Sequence, residues 1–280
     1  MRVDAHQHFR SINRGDYGWL TPAIPKLFRD FGPGDLKPLI ASAGIEATVA
    51  VQAAPTIAET DYILAIADQT DFVAGVVGWI DFEIGAHRAE LERMAKSAKF
   101  VGVRPMIQDI ADVDWMLSPS IDWAYRAIVD LDLAFDALGF SRHIDNFLRL
   151  MNRHPDLRVV LDHSLKPEIA AGRFDDWAAG MSRLAAETPA VCKLSGLISE
   201  AGPDWSIERL RPYVAHVLSA FGPGRVMWGS DWPVLANTAS YAAWVETAEA
   251  LVANSVADAQ DIERIFGGNA ITFYRLKVAV

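Results

Sequence analysis

His6 and His8 stand two residues apart at the end of the chain's first apolar run, in the string VDAHQHF. On an extended strand, residues i and i+2 share a face, so the two imidazoles project together. Such a pair suits a metal ion or the polarisation of a carbonyl. A lone histidine is readily explained as a satisfied structural residue, but a same-face pair at a strand end is not. His87, His143, His154 and His216 fall in helical or loop sequence and read as structural or exposed.

Asp231 closes another apolar run, after Gly229-Ser230 and before Trp232-Pro233. Burying a carboxylate without a partner is costly, so its place there asks for a reason. It could take a proton from water or hold a metal. The structural alternative is an N-cap, or an ion pair with Arg104. His163 ends the run Val159–Leu161 in the same manner, and strand alternation sends its neighbour Asp162 to the opposite face.

Arg104 and Lys193 interrupt apolar runs, and buried cations need anionic or polar partners. Either could hold a carbonyl or carboxylate oxygen of a substrate, or neutralise Asp231 or Asp136. Asp136, inside the fifth run, suits a direct role or a buried supporting one. Gln52 ends the second run, while Gln108, Lys166, Ser195 and Ser230 lie at or just past other run ends. Trp19, Trp79 and Trp232 could wall a sugar ring, although single tryptophans are more often core. GxGxxG, P-loop, CxxC and GxSxG patterns are absent, which disfavours nucleotide cofactors and serine-hydrolase chemistry.

These residues need elements that converge. Eight short apolar runs supply them: Val3–Phe9, Ala47–Ala53, Val73–Ile80, Phe100–Ile107, Leu133–Phe140, Leu157–His163, Val191–Ser195 and Arg225–Asp231. Near-continuous apolarity suits strands buried on both faces of a parallel sheet. Between them, Leu36/Leu39/Ile40/Ala43, Leu91/Met94/Ala95/Ala98 and Ile144/Phe147/Leu148/Met151 follow helical spacing, and Tyr62/Ala65/Ile66/Gln69 follow it less cleanly. Asp145, Glu168, Asp175, Asp176, Glu208 and Asp258 fall where helices should start.

Eight βα units in series predict one closed (β/α)8 TIM barrel spanning residues 1–280 as a single domain. A doubly wound sheet would need a glycine fingerprint where this first strand carries HQHF. In a closed parallel barrel the polar run ends meet at one mouth, where barrel enzymes place their chemistry. The connection Arg10–Gly34, with Tyr17, Trp19, Pro22, Pro25, Phe28, Phe31 and Pro33, is too long and aromatic for a plain βα turn. It reads as a lid or wall, or equally as a loop packed on the rim.

The totals agree. The 280 residues are 51% hydrophobic and 22% charged, enough for a sizeable core. A net charge of −10 disfavours nucleic acid as a partner. A single cysteine, Cys192, no apolar leader and no membrane-length apolar stretch lead to the expectation of a cytoplasmic protein without a membrane partner. Self-association into a homo-oligomer is compatible with this sequence.

Five ordered strings, VDAHQHF, GVRPMIQD, LDHSLKP, CKLSGL and WGSDWP, resemble the amidohydrolase-2 branch of the amidohydrolase superfamily, and within it the lactonases of L-fuconolactone and L-rhamnonolactone. The resemblance covers nearly the whole chain. It implies a (β/α)8 barrel, hydrolysis of a sugar lactone, and a constellation of His6, His8, His163 and Asp231. The superfamily's two-metal members place a modified lysine on strand four and a histidine on strand five. Arg104 occupies the former place here and the latter has no histidine, so the resemblance implies one divalent ion (zinc first) on His6, His8, His163 and Asp231, or none. Arg104, Lys193, Gln52, Trp19 and Trp232 would contact the substrate. Two rivals remain: a single-metal decarboxylase of the same branch, acting on an aromatic or unsaturated carboxylate, and a non-catalytic sugar-acid binder.

Overall fold

In the computed structural model, which describes residues 1–278, all eight apolar runs become strands of one parallel sheet in sequential order. They are β1 (Val3–Gln7), β2 (Ala47–Val51), β3 (Val73–Gly78), β4 (Phe100–Val103), β5 (Ala134–Ala137), β6 (Arg158–Leu161), β7 (Val191–Leu194) and β8 (Val226–Trp228). The sheet closes on itself: the Asp231 N–H donates to the His6 carbonyl at 2.8 Å, and the His8 N–H to the Trp232 carbonyl at 2.7 Å. The architecture is a (β/α)8 TIM barrel.

Each strand is shorter than the apolar run that announced it. β4, for instance, stops at Val103, while burial continues through Pro105 and at Ile107. The C-terminal residues stay buried but turn out of the sheet to frame the mouth, so apolarity outlasts pairing.

The outer layer comprises α1 (Pro33–Ser42), α2 (Ile57–Asp68), α3 (His87–Met94), α4 (Asp122–Asp130), α5 (Ile144–Arg153), α6 (Asp175–Glu187), α7 (Leu197–Ala201), α8 (Ile207–Phe221) and α9 (Tyr241–Ala253). Local capping fixes several starts: the side chains of Thr56, Ser206 and Ser240 accept from the backbone N–H groups of Glu59, Arg209 and Ala243. Each such cap is worth about 1 kcal/mol.

Small and β-branched side chains, among them Ala5, Val49, Val77, Val101 and Val160, fill the barrel interior. After α10 (Ala259–Glu263), α11 (Asn269–Tyr274) shuts the lower end, with Ala270, Tyr274 and Leu276 buried against that interior. No helix among the described residues is long and apolar enough to cross a membrane.

Candidate active site

β1 delivers its histidine pair to the upper end as expected. The rings of His6 and His8 lie edge to face with centroids 4.9 Å apart, and His163 lies 4.5 Å from His6. Asp231 faces all three. Its Oδ1 is 3.3 Å from His8 Nε2, 3.8 Å from His6 Nε2 and 3.9 Å from His163 Nε2.

Two pieces of local backbone make this convergence. After β6 the chain enters an unusual left-handed turn, with φ of 53°, 51°, 54° and 49° at His163, Ser164, Leu165 and Lys166. Left-handed backbone costs L-residues about 1–2 kcal/mol each, and such strain collects where function needs it. The turn ends strand alternation, so Asp162 points inward beside His163 and not to the opposite face. Asp231 is itself left-handed, φ 59°. The second device is glycine. A Cβ on Gly196, whose φ is 68°, would stand 2.6 Å from His163 Nδ1, and one on Gly229 would stand 2.8 Å from His6 Cβ. The His163 ring and the His6 backbone and Cβ each pack against a glycine, where any side chain would collide.

Hydrogen bonds set the proton positions. His8 Nδ1 lies 2.7 Å from the Val51 carbonyl, which can only accept, so Nδ1 carries the hydrogen. Burial pushes the His8 pKa down, so its Nε2 is a bare lone pair aimed at a carboxylate. Both ring nitrogens of His6 face donors, Nε2 at 3.4 Å from the Arg104 guanidinium and Nδ1 at 3.2 Å from the Lys193 ammonium, with Asp162 Oδ1 3.5 Å from Nδ1. Burial, then the nearby Lys193, pushes His6 well below its usual range. Burial takes His163 down to about 4, and Ser195 Oγ holds its Nδ1 at 2.9 Å. Burial alone would raise the Asp231 carboxyl; the imidazoles, His163 first, override it and hold Asp231 below the usual carboxylate range.

A carboxylate oxygen ringed by imidazole Nε2 atoms calls for a cation or a proton at its centre. The donor set fits a divalent ion. Zinc bonds of about 2.0–2.1 Å in tetrahedral geometry put ligand atoms about 3.3–3.4 Å apart; here Asp231 Oδ1 lies 3.3–3.9 Å from the three imidazoles, and donor atoms of His6, His163 and Asp231 all lie within 4.8 Å of one another. A backbone carbonyl fixing the far nitrogen, as at His8, is the usual support for a histidine ligand.

Above this floor opens a cavity of about 220 Å³, lined by His8, Trp19, Arg104, His163, Lys166 and Asp231 among others. Pockets for drug-sized ligands run from about 300 to 1,000 Å³, so this one suits a single small ring. A larger hollow, about 660 Å³, lies on the outer helices around Trp123, but its charges pair with one another, His154 with Asp122 at 2.8 Å and Arg88 with Asp130 at 3.3 Å.

Three expected substrate contacts fall elsewhere. Lys193 lies beneath the floor, wholly buried, 2.5 Å from Asp136 and 2.9 Å from Asp162. β7 contributes it one layer too low to reach the cavity, and it serves as charge compensation. Gln52 is buried behind Arg104, donating to the Arg104 carbonyl at 2.9 Å, while its own carbonyl accepts from the Arg104 guanidinium. Trp232 packs in the core against Phe9 and Phe31, with ring centroids at 6.4 and 5.3 Å. Its position after left-handed Asp231 turns the indole away from the mouth. Trp19 does line the cavity and anchors its ring nitrogen on the Ala53 carbonyl at 2.9 Å.

The long connection after β1 is a wall over the mouth. An antiparallel bridge joins Arg10 to Phe31, and α1 starts at Pro33, one residue earlier than the connection's expected end. Sequence reasoning had no reason to single out Glu59, the buried carboxylate that ties this wall down. Tyr17 donates to it at 2.8 Å and the Ala53 N–H at 3.1 Å.

The amidohydrolase family profile matches residues 3–276. An L-fucono-1,5-lactonase from Burkholderia ambifaria is 45% identical over 279 residues, covering 98% of this chain and 96% of that one. An amidohydrolase from Burkholderia multivorans, solved with bound zinc, superposes with a TM-score of 0.94 at 32% identity over 99% of each chain. A dihydroxybenzoic acid decarboxylase from Polaromonas sp. JS666, solved with manganese, shares the fold alone: TM-score 0.67 at 14% identity over 99% of this chain and 98% of that one. The profile spans every strand and every residue of the histidine–aspartate centre, and the chain belongs to the amidohydrolase family.

Proposed function

We propose that the protein is a lactonase that opens L-fucono-1,5-lactone, or a closely related sugar lactone such as an L-rhamnonolactone, to the sugar acid. The carrying observation is Asp231, an ionised carboxylate held among His6, His8 and His163 on the floor of a one-ring cavity that also receives Arg104. The 45% identity to an L-fucono-1,5-lactonase supports the choice of ring.

In this reading Asp231 takes a proton from water as the water oxygen bonds to the lactone carbonyl carbon. General-base help of this kind contributes about 10²–10⁴-fold. The carbonyl π electrons move onto oxygen, which the cavity-lining Arg104 faces with its positive charge. Collapse restores the carbonyl and breaks the bond to the ring oxygen, which takes the proton back from Asp231. The product acid then releases a proton to solvent. A divalent ion on His6, His8, His163 and Asp231, zinc by its donor set, would polarise the carbonyl and acidify bound water. The substrate is a small molecule, and a cytoplasmic location suits the single buried thiol of Cys192.

The test is acid release in a pH-indicator assay across L-fucono-, L-rhamnono-, D-galactono- and L-arabinono-lactones, with and without chelator, on protein analysed for metal. Turnover of the fuconolactone is expected, and loss of rate with chelator would place the ion in the reaction. Silence across the panel overturns the reading. Release of CO2 from an aromatic carboxylate would revive the decarboxylase, which otherwise leans on a fold likeness at 14% identity.

A further inference from the structure

Beside the catalytic cavity lies a second hollow of about 300 Å³. Met106 and Asp109 line both, so the two adjoin across the upper ends of β3 and β4. Trp79, Trp115, Pro55, Pro105 and Ile110 form the walls of the second half. The function above leaves this half without a role.

Its aromatic shelf is fixed in advance. The Trp115 indole stacks on Phe82 at 5.8 Å and 30°, and its ring N–H donates to Glu83 at 2.8 Å. Phe82 in turn meets Tyr125 edge-on at 5.5 Å. Thr60 Oγ1 accepts from the Trp79 N–H at 2.8 Å, pinning that residue at the end of β3. Both indoles are half-buried, each leaving part of its ring open. Two rigid, partly open indoles flanked by prolines offer a flat face without losing side-chain entropy on binding.

The two halves differ in charge. The catalytic half sets Arg104 and Lys166 against Asp231; the second half holds Asp81 and Glu83 and, among the described residues, no cation, and Asp109 lines both. Carboxylates accept from hydroxyls and repel anions. These carboxylates disfavour an anion, and together with the aromatic shelf they suit a hydroxyl-rich occupant with one flat face.

We propose that this half is a glycosyl subsite, so that the protein also takes aldonolactones bearing a second, neutral sugar ring. The lactone ring lies over Asp231, and the appended pyranose rests on Trp79 and Trp115 with its hydroxyls turned to Asp81, Glu83 and Asp109. The substrate class is the lactone of an oxidised disaccharide. The inference rests on the lactonase reading, and its test separates the two.

Kinetics with monosaccharide aldono-1,5-lactones are compared with those of lactones from (1→4)- and (1→6)-linked oxidised disaccharides. Titration calorimetry of the corresponding free acids runs alongside. At least one disaccharide lactone should match or exceed its parent monosaccharide in kcat/KM. Trp79→Ala and Trp115→Ala should each lower that value about tenfold through KM, while the monosaccharide changes less than threefold. The disaccharide acid should bind more tightly than the monosaccharide acid, and the variants should erase the difference. Equal losses on both substrate sizes, or no disaccharide lactone within tenfold of its parent, overturns the subsite. Failure of all lactones, with the disaccharide acid still bound through Trp79, would overturn the lactonase and leave the sugar subsite standing.

Discussion

At the lower end of the barrel, Ala5, Val49, Val77, Val101 and Val160 fill the interior, and Tyr274 and Leu276 close it from below. At the upper end the same strands and the turns just beyond them deliver His6, Arg104, Asp162, His163 and Asp231. One end is apolar and close-packed. The other buries ionisable groups and runs through four consecutive left-handed residues after β6. Between them Lys193, Asp136 and the Tyr274 hydroxyl, 2.7 Å from Asp136, form a buried polar layer that belongs to neither. The contrast teaches that stability and chemistry are separated along the barrel axis: the lower end supplies free energy that the upper end spends on strain and desolvation. Substitutions at the two ends should then fail in opposite ways.

The largest expected effect is Asp231→Asn. Asparagine is the apt replacement because it tolerates the positive φ of 59° at this position, where alanine would add backbone strain. Loss of the base should lower kcat on the lactone by about 10²–10⁴-fold or more. The circular dichroism spectrum and cooperative melting should persist. A variant with full turnover would remove Asp231 from the mechanism and erase the chemical side of the contrast.

The converse experiment is Leu276→Ala. This side chain packs so closely on β3 that a Cβ on Gly75 would lie 2.9 Å from it. Truncating a buried leucine costs about 2–5 kcal/mol. Urea midpoints should fall accordingly, while kcat/KM per folded molecule stays within twofold. A collapse of activity in folded protein would mean the ends are coupled through the Tyr274–Asp136–Lys193 layer.

This separation also explains what could be read from the sequence. Strands buried on both faces wrote themselves as apolar runs, and all eight appeared. The histidine pair was visible because strand geometry is local: His6 and His8 share a face wherever the strand goes. Depth along the axis was not visible. Lys193 interrupts an apolar run just as Arg104 does, yet it sits one layer lower, paired with Asp136 and Asp162. Trp232 directly follows Asp231 and still faces the core, because the left-handed Asp231 redirects the chain. Asp162 was assigned to the wrong face for the same kind of reason. The turn after β6 breaks alternation, and nothing in LDHSLKP marks four left-handed residues. Glu59 sits in the first turn of α2, where an acidic residue is commonplace and marks nothing. Only the fold brings Tyr17, 42 positions earlier, onto its carboxylate.

Glu59 gives the smallest and most local effect, one that should reach the mouth and spare the lower end. Burial raises its pKa from 4.5 to about 7, against the lowering pull of its hydrogen bonds from Tyr17 and Ala53 and of Arg14. A carboxyl raised in the folded state contributes stability that is fully present below its unfolded value and lost as pH rises through the folded one. The window here is therefore about pH 4.5 to 7, and at about 1.4 kcal/mol per pKa unit the loss across it is about 3 kcal/mol. Because Glu59 holds Tyr17 and the Ala53 backbone, the cost should appear as opening of the wall that carries Trp19, ahead of global unfolding. Hydrogen exchange between pH 5 and 8, corrected for intrinsic rates, should show residues 11–30 losing protection as pH rises, with the strands beside Tyr274 unchanged. Glu59→Gln, neutral throughout, should flatten that dependence and keep KM for the lactone constant over the same range. If wild type and the Gln variant open identically with pH, the buried carboxyl is not the wall's anchor, and the mouth's pH response must arise within the histidine–aspartate centre itself.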